Sequence, residues 1–135
     1  GDPLRDIVLG DAMASRLFAA TAYDKAGINT AHHSDGPIVE ARPMYLVWSA
    51  ANRATVSGKV LGPELRQPAY VALLGVTRNA ARQLGLGDEI GTLSVGKHAD
   101  FAILAQNPIK LDPMKIRDVA VLETIKGGKV YFPRQ

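Results

Sequence analysis

Apolar and polar positions along the chain follow two rhythms, and the change between them falls near Gly85. In Ala14 to Lys25, Leu17, Ala20, Thr21 and Asp24 recur at the three-and-four spacing of one helical face. Asp11 stands where a cap belongs and Gly27 where a left-handed terminator belongs, so the pattern predicts one helix between them. Ile28 to His33 is strand-length and is closed by Ser34-Asp35-Gly36-Pro37, which reads as strand then loop. Pro43 opens a second helix to about Thr55, with Met44, Val47, Trp48 and Ala51 as its stripe. Pro68 starts a third helix through Leu84, stopped by Gly85. Gly75 in its interior costs about 1 kcal/mol against alanine, which implies a close approach there.

From Ile90 the period shortens to two. Phe101–Leu104, Val119–Ile125 and Lys129–Phe132 read as short strands, and Gly127-Gly128 is a hairpin turn between the last two. The expected fold class is therefore α/β followed by antiparallel β, with a boundary near Gly85 to Asp88.

Composition narrows the function classes. At 135 residues, 47% apolar and 21% charged, the chain has the balance of a folded domain. No apolar run approaches the roughly 18 residues of a membrane span. The net charge of +3 is spread thinly and aromatics are 6%, which argues against nucleic acid as a partner. With no cysteine there is neither a disulfide nor a thiolate metal site, a composition that leans toward a reducing, cytoplasmic setting. The opening Gly1-Asp2-Pro3-Leu4-Arg5-Asp6 lacks an initiator Met and any targeting pattern, and reads as the interior of a longer polypeptide.

Candidate chemistry centres on His32, His33 and Asp35. From the residues alone Asp35 has two readings, an Asx-turn residue ahead of Gly36-Pro37 or a carboxylate presented for chemistry. His33 alternates onto the side of Asp35, as a substrate contact or as a packed, hydrogen-bonded ring. His32 faces the other way and reads as structural. Lys97-His98-Ala99-Asp100 suggests a tight turn with Asp100 bonding backbone amides more than a second metal site. Met44 and Trp48 read as core, Arg53 as the partner of an acid near the loop after His33, and Lys110, Lys115, Arg117 and Lys126 as a solvated face.

Two segments carry a family resemblance. One is Ala31-His-His-Ser-Asp35-Gly-Pro-Ile-Val-Glu-Ala-Arg-Pro43 with Trp48-Ser-Ala-Ala-Asn-Arg53. The other is Asp88-Glu-Ile-Gly-Thr-Leu-Ser-Val-Gly-Lys97-His-Ala-Asp100-Phe-Ala-Ile-Leu104, continuing to Asn107-Pro108 and Thr124-Ile-Lys-Gly-Gly128. Together with Gly1-Asp2 and Arg5 to Gly10 they resemble the amidohydrolase superfamily, in its YtcJ-like (amidohydrolase-3) branch, which includes N-substituted formamide deformylases. The resemblance implies that residues 1–87 are the C-terminal part of a (β/α)8 metal-dependent hydrolase barrel, with strand eight at about 28–33. Residues 88–135 are then the last strands of a small β-sandwich beside it. It implies a hydrolase for non-peptide carbon–nitrogen bonds, a divalent metal such as zinc in the full-length protein, and a small amide-type substrate. Asp35 becomes a metal ligand and the proton-transferring acid, and His33 a substrate contact.

The family's other metal ligands have no counterpart here. A hydrolytic zinc site takes three or more protein ligands. The chain alone is therefore expected to bind no metal and to be inactive. The alternative is a non-catalytic interaction module or split-enzyme subunit, either a homo-oligomer or associated with a missing N-terminal part.

Overall fold

The computed structural model describes residues 1–133. A π-helical turn at Leu4–Leu9 leads into α1, Gly10–Ala14, and α2, Ala20–Lys25. The expected single helix is thus broken over residues 15–19, where Phe18 adopts φ 52°. Asp11 lies in the first turn of α1 and caps nothing, its carboxylate standing 3.5 Å from Arg5. The C-terminal signal of α2 holds: Gly27 turns left-handed at φ 74°, Ile28 N–H donates to Tyr23 O at 2.9 Å and Gly27 N–H to Asp24 O at 3.0 Å. This pair of bonds satisfies carbonyls that the helix end leaves open.

Helix α3, Pro43–Asn52, starts on its proline and stops three residues before the expected end, because Arg53 turns left-handed at φ 52°. Its stripe is the core: Val47, Trp48 and Ala51 are buried with Ala72 of the next helix and Ile116, while Met44 and Tyr45 pack at the edge. The third expected helix is two, α4 at Ala69–Gly75 and α5 at Arg78–Gln83, with a break at Val76-Thr77. Thr77 leaves helical geometry at φ −131°, ψ −101°, and its hydroxyl turns back onto Leu73 O at 2.8 Å.

Three strands follow, β1 at Phe101–Leu104, β2 at Val121–Lys126 and β3 at Lys129–Phe132, in antiparallel order β1-β2-β3. The Gly127-Gly128 hairpin is as expected, and β2 starts two residues later than the alternation suggested. Between β1 and β2, a 3₁₀ turn at Pro113–Asp118 is capped by Asp112, which accepts from Met114 N–H at 2.9 Å. That turn inserts Ile116, fully buried, into the α3–α4 core and so ties the β-rich segment to the helices.

Ile28 to His33 forms neither helix nor ladder among the described residues. A strand is defined by its neighbours, and here the segment's outward bonds run to helices: His32 N–H donates to Gly75 O at 3.0 Å, and Asn29 Nδ2 to Asn79 O at 2.9 Å.

Candidate functional site

Asp35 lies in an exposed turn directly after this segment. Its backbone is left-handed at φ 53°, a conformation that Asp tolerates better than most residues. The turn closes through Ile38 N–H donating to Asp35 O at 3.0 Å. Asp35 N–H donates to His33 Nδ1 at 3.1 Å, and this is the contact that brings the two expected site residues together. Because Nδ1 accepts, the proton of the His33 ring is on Nε2, leaving an N–H donor directed away from the turn. Both side chains are exposed, and only backbone atoms of Asp35 enter hydrogen bonds among the described residues. Its carboxylate is free for a partner.

His32 points the other way. Its Nε2 is 2.8 Å from Gln67 Oε1, and its ring lies against Gly75, where an added Cβ would come within 2.4 Å of Cδ2. The close approach expected at Gly75 is therefore to this ring. Burial pushes the His32 pKa below the ordinary histidine value, while the bond to Gln67 and the charge of Asp24 oppose it. Gln67, itself buried, donates to Asp24 Oδ2 at 2.5 Å, and Thr30 donates to Asp24 Oδ1 at 2.8 Å. Sequence reasoning did not single out Gln67 or Asp24. The available signal was Asp24 itself, an acid on the stripe of α2 that turns inward.

Arg53 does not pair with an acid near the Asp35 turn. Its guanidinium donates instead to four backbone carbonyls: Leu61 at 2.6 Å, Leu17 at 2.7 Å, Phe18 at 2.9 Å and Ser15 at 3.2 Å. The carbonyls of Ser15, Leu17 and Phe18 lie in the break between α1 and α2, so the arginine completes that break. Burial holds its pKa below the ordinary value, partly offset by Glu64.

Asp100 accepts from Gly127 N–H at 2.7 Å, and Gly128 N–H donates to Ala99 O at 3.1 Å, so the stretch that leaves the Ser94–Lys97 turn is bonded to the hairpin and holds no second metal site among the described residues. Trp48 is core, but Arg117 is not simply solvated: its guanidinium stacks 4.8 Å from the Trp48 ring centroid. A cleft of about 290 Å³ beside this pair, lined also by Tyr45, Thr55 and Met114, shares no residue with the Asp35 turn.

Among the described residues, no group of three or more His, Cys, Asp or Glu side chains is placed to hold a metal ion. The residues present do not make a complete metal site. Asp35 is an exposed single carboxylate, one donor where at least three are needed.

The profile described as Amidohydrolase family matches residues 1–132, and the chain belongs to that family, in the amidohydrolase-3 branch. It is 30% identical over 119 residues to an N-substituted formamide deformylase of Arthrobacter pascens, covering 88% of this chain and 22% of that protein. Among solved structures it is similar to an adenosine deaminase of Xanthomonas campestris with bound zinc, at 25% identity and a TM-score of 0.63, over 83% of this chain and 27% of that one. An amidohydrolase of Thermotoga maritima shares the fold at 21% identity and a TM-score of 0.64, over 86% of this chain and 26% of that one. The chain thus spans 22–27% of the length of these proteins.

Proposed function

We propose that this chain is the C-terminal portion of a metal-dependent amidohydrolase that cleaves a non-peptide carbon–nitrogen bond, of amide or formamide type, with water. Residues 1–87 then close a (β/α)8 barrel, with 28–33 as the eighth strand, and residues 88–135 complete a β-sandwich. The observation that carries the reading is the free carboxylate of Asp35, exposed on a left-handed residue at the end of that segment, within the family match. Active sites of such barrels gather at the C-terminal ends of the strands.

Asp35 would be one of the ligands that hold a divalent ion, and such an ion, when bound, would supply an acidified water as the nucleophile. The Asp35 carboxylate would also be the base that takes a proton from the attacking water and returns it to the leaving nitrogen. His33, with its Nε2–H outward, offers a hydrogen bond to a polar atom of the substrate. The remaining ligands come from polypeptide outside this chain, so the chain alone is inactive.

The test uses the full-length protein, assayed for formate release from a panel of N-substituted formamides and for ammonia release from aminated bases. Asp35→Asn keeps the shape and removes the base, and turnover is expected to fall roughly 10²- to 10⁴-fold. A full-length protein that holds no metal and is indifferent to Asp35→Asn defeats the proposal.

The surface of the chain favours assembly with that missing polypeptide. Its accessible area is 9163 Å² for 14.4 kDa. A compact monomer of that mass exposes about 6,800 Å². The excess of roughly 2,300 Å² is comparable to a permanent interface.

A further inference from the structure

The hydrogen-bond relay around His32 has a direction that its chemistry dictates. A carboxylate only accepts, so Gln67 must turn its NH₂ toward Asp24 Oδ2, 2.5 Å away. That turns Gln67 Oε1 toward His32 Nε2, at 2.8 Å. The amide oxygen also only accepts, so Nε2 of His32 carries the proton. An acid on α2 thereby sets the tautomer of a ring that it does not touch.

The relay also marks the end of a row of anchors. Asn29 is held by Asn79 O and by Gln83, Thr30 by Asp24, and His32 by Gln67 through its ring and by Gly75 through its backbone. Beyond His32 the bonds are local to the turn itself: Asp35 to His33, Ile38 to Asp35, Arg42 to Glu40. The last point at which the body of the protein grips the chain before Asp35 is therefore His32.

We propose that His32 is the positioning residue of the site, its ring oriented by the Asp24–Gln67 pair and its backbone fixed to α4, so that His33 and Asp35 take their places from it. The inference rests on the reading of Asp35 given above. His32 itself meets no reacting atom.

The full-length protein, labelled with ¹⁵N in its histidine rings and in its aspartate amides, separates the possibilities. The His32 resonances are identified by their loss in His32→Gln, and the wild-type ring is expected to show the Nε2–H tautomer. Asp24→Asn frees the Gln67 amide to flip, so a population of the Nδ1–H tautomer is expected to appear and the Asp35 amide resonance to move. In the same variant, and in Gln67→Leu, kcat for formamide hydrolysis is expected to fall roughly 10- to 100-fold with KM little changed, since a misplacement of about 1 Å is enough for this. His32→Gln keeps an N–H donor toward Gln67 and is expected to recover most of kcat. A wild-type Nδ1–H ring overturns the proposal, as does a folded Gln67→Leu with full kcat; if that variant does not fold, the wild-type ring and Asp24→Asn decide. Should Asp35→Asn prove fully active, or no formamide be turned over, the reading of Asp35 fails on its own. The Asp35 amide then decides for His32: a shift in Asp24→Asn supports the positioning role, and no shift overturns it.

Discussion

At Gly75 two residue-level rules oppose each other. Helix propensity favours alanine by about 1 kcal/mol, since glycine loses more backbone freedom. Space forbids it: the added Cβ would stand 2.4 Å from Cδ2 and 2.6 Å from Nε2 of a ring that is fixed by Gln67. Overpacking of a held side chain costs about 1–3 kcal/mol, so the clash outweighs the propensity. Gly75→Ala is expected to lower stability by up to about 2 kcal/mol in urea unfolding, and a stabilised variant would show that the ring moves aside at little cost. A second residue-scale case is electrostatic. The Asp2 carboxyl accepts from Ser57 Oγ at 2.7 Å and from Ser57 N–H at 3.0 Å and stands 3.2 Å from Arg5, and these bonds hold its pKa at about 2 against the ordinary 3.8. A depressed folded value means that the carboxylate's contribution to stability is present above pH 3.8 and is lost as the pH falls toward 2. Ser57→Ala removes the largest cause, so the NMR titration midpoint of Asp2 is expected to rise toward 3.8; a midpoint that stays near 2 would assign the shift to the groups that remain, the backbone N–H at position 57, Thr55 and Arg5.

Elements were legible in the sequence where their partners are local or repeat along one face. The stripe of α3 announces itself because Val47, Trp48 and Ala51 form one buried cluster with Ala72 and Ile116 within this chain. The hairpin around Gly127-Gly128 is legible because its turn is local. The break between α1 and α2 was not, because the residue that completes it is far away in sequence. The interruption between α1 and α2 depends on Arg53, 35–38 residues on, whose guanidinium collects the freed carbonyls of Ser15, Leu17 and Phe18. The same limit applies at the site: Asp35 and His33 follow from a motif, whereas the Asp24–Gln67 bond joins residues 43 apart and has no local signature. Arg53 therefore makes a prediction of its own. Arg53→Ala leaves several partly buried carbonyls without donors and is expected to cost about 2–3 kcal/mol, a hydrogen bond from a charged group being worth about 1.5–3 kcal/mol. Arg53→Lys is expected to recover little of this, because an ammonium is a point charge and cannot reach four carbonyls in a fork. Paired thermal melts of the two variants measure the difference, and a lysine variant as stable as wild type would mean that charge alone closes the break.

Over the whole molecule, the helical half is organised around a small core while the sheet leaves most of its apolar side chains exposed. Ile125 is buried, but Phe101, Ile103, Leu122, Val130, Tyr131 and Phe132 are each 39–60% exposed, and β1 and β3 present open edges. Apolar side chains beside unpaired backbone groups favour further strands or a second sheet. Under the proposed function, the polypeptide that would supply them corresponds to the part of its relatives that this chain does not span. Ile116 explains why the arrangement holds together: it seats the 3₁₀ turn in the α3–α4 core, so the sheet hangs from the helices by its β1–β2 connection. The consequence is an association that depends on company. Alone, the chain is expected to sediment above 14.4 kDa in a concentration-dependent manner, pairing its sheet with that of another copy. Leu122→Lys, at the register shift in β2 opposite Ile103 and Leu104 and half exposed, is expected to shift that equilibrium toward monomer without lowering the melting temperature of the monomer. In the full-length protein the same charge meets a covered face, so there Leu122→Lys is expected to destabilise by about 1–3 kcal/mol, the cost of burying a polar group without a partner. A charge tolerated equally in both settings would place the sheet on the outside of the assembled enzyme.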